Sequence, residues 1–209
     1  MALRYAILGQ LSTTPCSGYD LALYLDSARG SFWCAAHSQI YPELRRLEEA
    51  GLIEGAPTPV GEKLEKRIYT ITDAGSDALA TWAAGTPIYR PNRDPERLQL
   101  IFADRAPLDA IRRHVEAHRD RFGRQCTRID GIREAILSRE HERVEARLRG
   151  RSGPEQELSL LLRDLAYGGD RERAALEVEW ADRALALLDA YERDHVDVEH
   201  RIREEEWRR

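Results

Sequence analysis

Four side chains that can hydrogen-bond to the edges of DNA bases lie close together in the stretch from Phe32 to Gly51. Ser38, Gln39 and Tyr41 are near neighbours, and Arg45 follows one helical turn later. Short or forked polar side chains near the N-terminal end of a helix are the ones that reach base edges in the major groove. The residue types and their spacing therefore predict a helix that contacts DNA.

The opposite face of the same predicted helix is apolar. Its apolar residues recur at helical spacing: Ile40, Leu44 and Leu47. Gly51 is a natural terminator, and Pro42 is tolerated only in a first turn, so we expect the regular helix to begin at residue 38 or 39. The alternative is an ordinary surface helix in which Arg45 pairs with Glu49 four residues later.

A short basic segment follows the predicted helix. The only two lysines of the chain, Lys63 and Lys66, stand beside Arg67. Leu52–Glu54 and Lys66–Ile71 have strand character, and Gly55–Glu65 between them predicts a loop that contains proline and glycine. Cations at the tip of such a hairpin can contact DNA phosphates. The alternative is a solvated turn.

The elements on either side complete a familiar order. We predict an apolar helix at Ala2–Leu11 and a second helix from Gly18 to about Ala28, capped by Ser17. A further helix, from about Ala74 to Ala84, follows the second strand and is capped by Thr72 or Asp73. The order helix, helix, helix, strand, basic loop, strand predicts a winged helix-turn-helix domain over residues 1–85.

The remainder of the chain predicts a different architecture. Residues 86–95 contain prolines without periodicity and form the predicted linker. Residues 96–209 carry apolar residues at spacings of three and four, which predict two long helices joined by a turn at Gly150–Pro154. Because a helical hairpin cannot bury its whole apolar stripe alone, we expect a second copy of the chain to cover it, as a homodimer. The predicted class is mostly α with a small β wing.

Composition limits the function classes. The 209 residues have a net charge of −5, and residues 1–93 contain nine basic and ten acidic side chains, so DNA contact needs local basic surface rather than net charge. No apolar run is long enough to span a membrane, and the N-terminus lacks the features of a signal peptide. Three cysteines without metal spacing indicate thiols in a reducing cytoplasm. His114 and His118 are four residues apart but have no third ligand, and no catalytic motif is present. We therefore expect no metal, no cofactor and no enzyme activity.

The motifs resemble one known family. HSQIYPELRRLEEAGLI followed by EKRIYTITDAG, with LRYAILGQL and SGYDL before them, is similar to the PadR family of transcriptional regulators. The stretches around FWCAAHSQIYPEL and GEKLEKRIYT look most like its phenolic-acid-responsive repressors. The resemblance covers the predicted winged helix by motif and the C-terminal half by architecture only.

The resemblance implies a homodimeric repressor bound to a palindromic double-stranded operator and released by a small aromatic acid. It implies that Tyr19, Trp33 and His37 contribute to the effector site, where aromatic rings stack on the ligand and the imidazole bonds to its polar groups. The alternatives are core packing for Tyr19 and Trp33 and a phosphate contact for His37.

Two other functions are compatible with the sequence. The near-neutral N-terminal half suits a small-molecule-binding or dimer-adaptor protein of the same fold without operator binding. A drug-sensing regulator of an efflux gene is the other.

Overall fold

The computed structural model of the chain describes residues 2–25, 36–60, 64–89, 93–139 and 142–194. Trp33 and Lys63 lie outside these residues. The chain forms two compact units. The first contains Met1–Tyr89 and Ile132–Tyr167, and the second contains Arg90–Gly131 and Gly168–Arg209. The predicted class, mostly helix with a small antiparallel sheet, is confirmed.

Four helices form the N-terminal part of the first unit: α1 (Ala2–Leu11), α2 (Gly18–Tyr24), α3 (His37–Glu49) and α4 (Asp73–Ala84). Both predicted caps are present, since the Ser17 side chain accepts from the Asp20 N–H and the Thr72 side chain accepts from the Gly75 N–H. Asp20 also accepts from the Ser17 N–H, which completes a capping box.

The helix α3 begins at His37, one or two residues earlier than expected. Pro42 therefore lies in its second turn and not in its first. Since proline has no N–H, the carbonyl four residues earlier loses its helical partner there. The helix tolerates this loss because its buried face stays continuous through Ile40 and Leu44, which are both 0% exposed.

A small antiparallel sheet completes the N-terminal part. Its strands are β1 (Cys16–Ser17), β2 (Ile53–Val60) and β3 (Leu64–Ile71), in the order β1-β3-β2. Most of the predicted loop Gly55–Glu65 is therefore strand, paired from Ile53 with Ile71 to Val60 with Leu64. The prolines at 57 and 59 argued against a strand, but β2 is an edge strand, where the missing N–H groups can face away from β3.

The apolar sides of these elements meet in one core. Ile7, Leu8, Leu21, Ile40, Leu44 and Leu47 are all 0% exposed. The helices α1, α2 and α3 thus bury their apolar faces together, so the polar face of α3 points to the solvent. The sequence pattern predicted correctly which face of α3 is buried.

Three further helices are α6 (Leu108–Leu137), α7 (Glu142–Leu148) and α8 (Gly153–Asp194). The C-terminal end of α6, all of α7 and the first part of α8 belong to the first unit, where Ile136, Val144 and Leu148 form a second buried cluster. Arg147 of α7 donates from Nη2 to the carbonyl oxygen of Gly9 in α1, at 2.8 Å.

The second unit contains α5 (Pro95–Ile101), a 3-10 turn at Ala103–Arg105 and the remaining parts of α6 and α8. Its two long helical segments are antiparallel. Arg112, near the start of α6, bonds to Asp189, near the end of α8, whereas Asp130, farther along α6, accepts from Arg171, which comes earlier in α8. Val115, Ile129 and Ala181 are buried between polar rows. The two long antiparallel helices were predicted, but the short helix α7, which was not predicted, lies between them in the chain, and α8 begins within the predicted turn Gly150–Pro154.

Candidate functional site

The outward face of α3 carries the side chains that were predicted from the sequence to contact DNA bases. Ser38, Gln39, Tyr41 and Arg45 are all exposed, on a helix whose other side is fully buried. None of the salt bridges among the described residues involves Arg45, whereas Arg46 is tied to Glu43 at 3.2 Å. The Arg45–Glu49 pair of the alternative interpretation is absent among the described salt bridges, so the Arg45 guanidinium is available to a ligand.

Tyr41 has a second role in the fold. A Cβ placed on Gly18, at the start of α2, would lie 2.7 Å from Cε1 of Tyr41 and 3.2 Å from Cδ1 of Leu44. The absence of a side chain at Gly18 therefore lets α2 approach α3 closely. Tyr41 packs on this contact with one side of its ring and remains 49% exposed.

The wing, which is the hairpin of β2 and β3, contacts α3 through a charged cluster around Glu48. The Oε1 atom of Glu48 accepts from Nη2 of Arg67 at 2.5 Å and from the backbone N–H of Gly55 at 3.0 Å. The guanidinium of Arg67 lies 5.9 Å from the centre of the Tyr69 ring. Burial raises the pKa of Tyr69, while the nearby positive charges of Arg67 and Arg45 act in the opposite direction. The helix and the wing thus form one continuous surface.

The other described wing cation is held by α2. The Lys66 ammonium donates to Oδ2 of Asp20 at 2.8 Å, and the same carboxylate accepts from the hydroxyl of Ser17 at 2.7 Å. The bond from Lys66 is the main cause that lowers the pKa of Asp20. Lys66 and Arg67 therefore both have intramolecular carboxylate partners, which the sequence did not reveal.

The lowered pKa of Asp20 predicts a pH-dependent contribution to stability. A carboxylate with a depressed pKa stabilises the fold above its unfolded pKa, and this contribution is lost as the pH falls through the folded one. We expect Asp20→Asn to lower the free energy of unfolding by up to about 1 kcal/mol at neutral pH, since the pair is partly exposed. The difference from wild type should shrink below about pH 4 in urea titrations. A difference that stays constant as the pH falls would mean that the Asp20 charge is not its source.

Of the three residues implied for the effector site, the structure describes two. Tyr19 is 58% exposed on α2. His37 is exposed at the first position of α3. Trp33 is outside the described residues. Tyr19 and His37 remain predictions, and neither is among the described residues that line the two cavities of about 540 and 260 Å³.

Two adjoining cavities lie within the first unit, with volumes of about 540 and 260 Å³. They share four lining residues: Tyr24, Arg147, Arg163 and Tyr167. The larger cavity adds leucine side chains from α8, and the smaller one adds aliphatic side chains of α6 and α7. Concave, mostly apolar sites with a few converging polar groups are the usual form of small-molecule sites.

Three arginines, Arg147, Arg151 and Arg163, and one carboxylate, Glu155, line the larger cavity, which leaves it with an excess of positive charge. Burial, followed by the neighbouring charge of Arg163, lowers the pKa of Arg147 to about 10, and Arg151 acts in the same direction. The Nε atom of Arg147 is buried and donates to no atom of the described residues. No described carboxylate forms a salt bridge with Arg147. A partly buried cation among like charges is destabilised until an anion joins it, so the cavity is suited to a carboxylate.

Little in the amino-acid sequence indicates this cavity. Arg147 belongs to a run of alternating acids and arginines, a pattern typical of a solvated helix face. Its burial depends on a contact with Gly9, 138 residues earlier in the chain. The Tyr24 and Tyr167 rings come from α2 and α8, and no motif connects them.

A metal ion is another class of ligand, but the described residues offer no site for one. They contain no group of three or more His, Cys, Asp or Glu side chains placed to hold a metal ion. His118 instead bonds through Nε2 to Glu177 at 3.0 Å and packs against Phe122 and Trp180.

Among the helices that the structure describes, none combines the length and apolar character needed to cross a membrane.

Comparisons with known proteins agree with this geometry. Residues 7–81 match the transcriptional regulator PadR-like family. The chain is 45% identical over 101 residues to the negative transcriptional regulator PadR of Bacillus subtilis, covering 48% of this chain and 56% of that protein. It is 39% identical over 84 residues to a probable transcriptional regulator of Mycobacterium tuberculosis, covering 40% of this chain and 44% of that protein. The matches thus span about half the length of these curated relatives.

Solved structures extend the likeness to most of the chain. B. subtilis PadR in complex with operator DNA has 30% sequence identity and a TM-score of 0.68, covering 90% of this chain and 99% of that chain. The same protein in complex with p-coumaric acid has 28% identity and a TM-score of 0.61, covering 90% of this chain and 95% of that chain.

Proposed function

Because the chain belongs to the PadR-like family of transcriptional regulators, we propose that it is a homodimeric repressor. It binds a palindromic double-stranded operator and is released by a small aromatic acid. It acts in the cytoplasm as a regulator rather than as an enzyme. The observation that carries the DNA-binding part is the exposed polar face of α3, whose opposite face is fully buried.

The helix α3 enters the major groove. Ser38, Gln39 and Tyr41 lie in its first two turns, and Arg45 can reach guanine, the base that arginine contacts most often. The N-cap residue Ala36 has no side-chain hydrogen bond to the helix. The first N–H groups of α3 therefore suit a backbone phosphate, which is attracted by the same end of the helix dipole.

The wing contacts the DNA backbone phosphates beside the groove that α3 occupies. Lys66 and Arg67 are partly exposed beside their carboxylate partners, with 38% and 52% of their side-chain surface accessible. An ammonium has three donors and a guanidinium has five, so each can keep its partner and still donate to a phosphate. Lys63, outside the described residues, remains the third predicted contact.

A second copy of the chain covers exposed apolar surface. On α8 of the first unit, four leucines are each more than half exposed: Leu158, Leu161, Leu162 and Leu165. Contiguous apolar surface of this kind marks an interaction site in soluble proteins. Two-fold symmetry of the homodimer would match the two halves of a palindromic operator. The boundaries of the DNA-binding domain (1–85), linker (86–95) and dimerisation domain (96–209) remain part of this proposal.

The effector is an aromatic acid because the cavity of the first unit combines apolar walls with arginines. The ligand carboxylate would pair with Arg147 and Arg163, and the ring would lie against Tyr24 and Tyr167. B. subtilis PadR has been crystallised with p-coumaric acid, an acid of this class. Tyr19, Trp33 and His37 remain predicted contributors to the response.

The same cavity argues against a sensor of cationic drugs. A positively charged ligand would meet three arginines against the single carboxylate of Glu155, and the net effect would be repulsion. An adaptor that lacks DNA binding would show acid binding without any complex with DNA, which separates it from the repressor.

The role of Arg45 can be tested in the full chain. Arg45→Ala should weaken binding to a duplex from the region upstream of the chain's own gene by about 1–3 kcal/mol and relax its sequence preference. Gel shifts against that duplex and a random-sequence duplex measure both effects.

The control variant is Arg113→Ala, which removes the same charge from an exposed position on α6. It should leave both affinities almost unchanged. Equal weakening by the two variants would mean that only total charge matters and that α3 is not the contact helix.

A further inference from the structure

We propose that Glu48 is a positioning residue for DNA binding, which acts by presenting the guanidinium of Arg67 to a backbone phosphate. This inference rests on the proposed function. The carboxylate of Glu48 would then favour DNA binding through Arg67, although its own negative charge repels DNA.

The geometry joins three parts of the fold at one oxygen atom. Oε1 of Glu48 accepts from Arg67 Nη2 at 2.5 Å and from the Gly55 N–H at 3.0 Å. Glu48 is in the last turn of α3, Gly55 is in β2 and Arg67 is in β3. The carboxylate therefore fixes the position of the wing relative to the helix that carries Arg45.

The backbone at Gly55 is adapted to this contact. A Cβ there would lie 2.4 Å from Nε of Arg67, 2.9 Å from Oε1 of Glu48 and 2.9 Å from Cε1 of Tyr69. These separations are too short for any other residue unless the side chains move. Glycine at position 55 thus leaves the space in which Arg67 lies between Glu48 and Tyr69.

Arg67 keeps donors for a second partner. Its side chain is 52% exposed, and the described contacts to a carboxylate use only Nη2. The Tyr69 ring, 5.9 Å from the guanidinium carbon, supports the other side. A guanidinium held by a carboxylate and an aromatic ring loses less conformational freedom when it binds a phosphate than a mobile one does.

Simple electrostatics predicts the opposite effect of removing Glu48. A carboxylate near DNA repels the phosphates, so neutralising it should strengthen binding. Glu49 is a matched reference, since it is exposed on the same helix one residue later and takes part in none of the described salt bridges. The two residues differ in the contact with Arg67.

The test compares Glu48→Gln with Glu49→Gln in the full chain. Dissociation constants for the upstream duplex are measured over a series of salt concentrations. We expect Glu49→Gln to bind as tightly as wild type or more tightly, with a salt dependence no shallower than that of wild type. Glu48→Gln should bind severalfold more weakly, with a slope of log affinity against log salt that is shallower by about 1.8, since the dimer loses one phosphate contact, worth about 0.9, from each of its two wings.

A double-mutant cycle with Arg67→Ala separates positioning from a general structural role. Arg67→Ala should make the slope shallower by the same amount, and the double variant should be no shallower than Arg67→Ala alone. Should Glu48→Gln fail to fold by circular dichroism, Glu48→Asp replaces it, with Glu49→Asp as its control. Glu48→Asp keeps the charge but shortens the reach, and the same loss of slope is expected.

Two results would overturn the inference alone. One is tighter binding by Glu48→Gln, which would show that Glu48 competes with phosphate for Arg67. The other is weaker binding with the wild-type slope, which would show that Glu48 only supports the fold. Absence of salt-dependent binding by wild type would instead overturn the proposed function, and the inference with it.

Discussion

Arg147→Met should abolish most of the affinity for p-coumaric acid while leaving operator binding close to wild type. The substitution removes the partly buried cation with which the ligand carboxylate is expected to pair and keeps a side chain of similar length. Loss of one partner of a buried, charged hydrogen bond costs about 2 kcal/mol or more, which is roughly a 30-fold loss of affinity. Isothermal titration of the full chain with p-coumaric acid measures it.

A matched control for this prediction is Arg149→Met. Arg149 is exposed just beyond α7 and does not line either cavity. It should bind the acid as wild type does. Similar affinities for wild type and Arg147→Met would place the carboxylate elsewhere, and Tyr19, Trp33 and His37 would then be the residues to test.

Leu44→Ala should lower the free energy of unfolding by about 2–5 kcal/mol, the range found when a leucine is truncated in a packed core. Leu44 is 0% exposed at the centre of α3, and its Cδ1 atom lies close to Gly18 at the start of α2. A cavity there loosens the packing that directs Arg45 outwards. Urea unfolding at a fixed chain concentration measures the loss, since a dimer's stability depends on concentration.

Arg46→Ala serves as the comparison on the same helix. Arg46 is exposed and makes one surface salt bridge, with Glu43. Its replacement should change the free energy of unfolding by no more than about 0.5 kcal/mol. A small effect of Leu44→Ala as well would mean that α3 is not held by the core.

The helix α3 and its exposed polar side could be predicted because the information for them is local. Ile40, Leu44 and Leu47 recur at helical spacing, so the apolar side identifies the polar side. The caps at Ser17 and Thr72 are equally local, since each hydrogen bond spans three residues. The fold class and the family follow from the same short stretches.

Features that depend on distant contacts could not be predicted. The partner of Lys66 lies 46 residues away, and the partner of Arg147 lies 138 residues away. In the sequence each looks like an ordinary surface cation. The wing strands were predicted too short for a related reason, because the two prolines are acceptable only on an edge strand, and the strand order is a property of the sheet.

The two described cations of the wing, Lys66 and Arg67, form salt bridges with other parts of the fold. Lys66 and Arg67 were predicted as phosphate contacts from their type and position alone. The structure shows that both already have carboxylate partners. Their proposed contribution to DNA binding would therefore depend on the donors that remain after this pairing, and for Arg67 the pairing partner is Glu48.

Binding of the full chain to the duplex upstream of its own gene, measured against salt, tests the central claim most directly. For a dimer whose two α3 helices and wings contact DNA, we expect log affinity to fall linearly with log salt. Six to ten phosphate contacts would lose about 10³–10⁵ in affinity between about 50 and 200 mM salt. The upstream duplex should be preferred over a random one throughout. Binding that does not change with salt, or no binding at any concentration, would contradict the account.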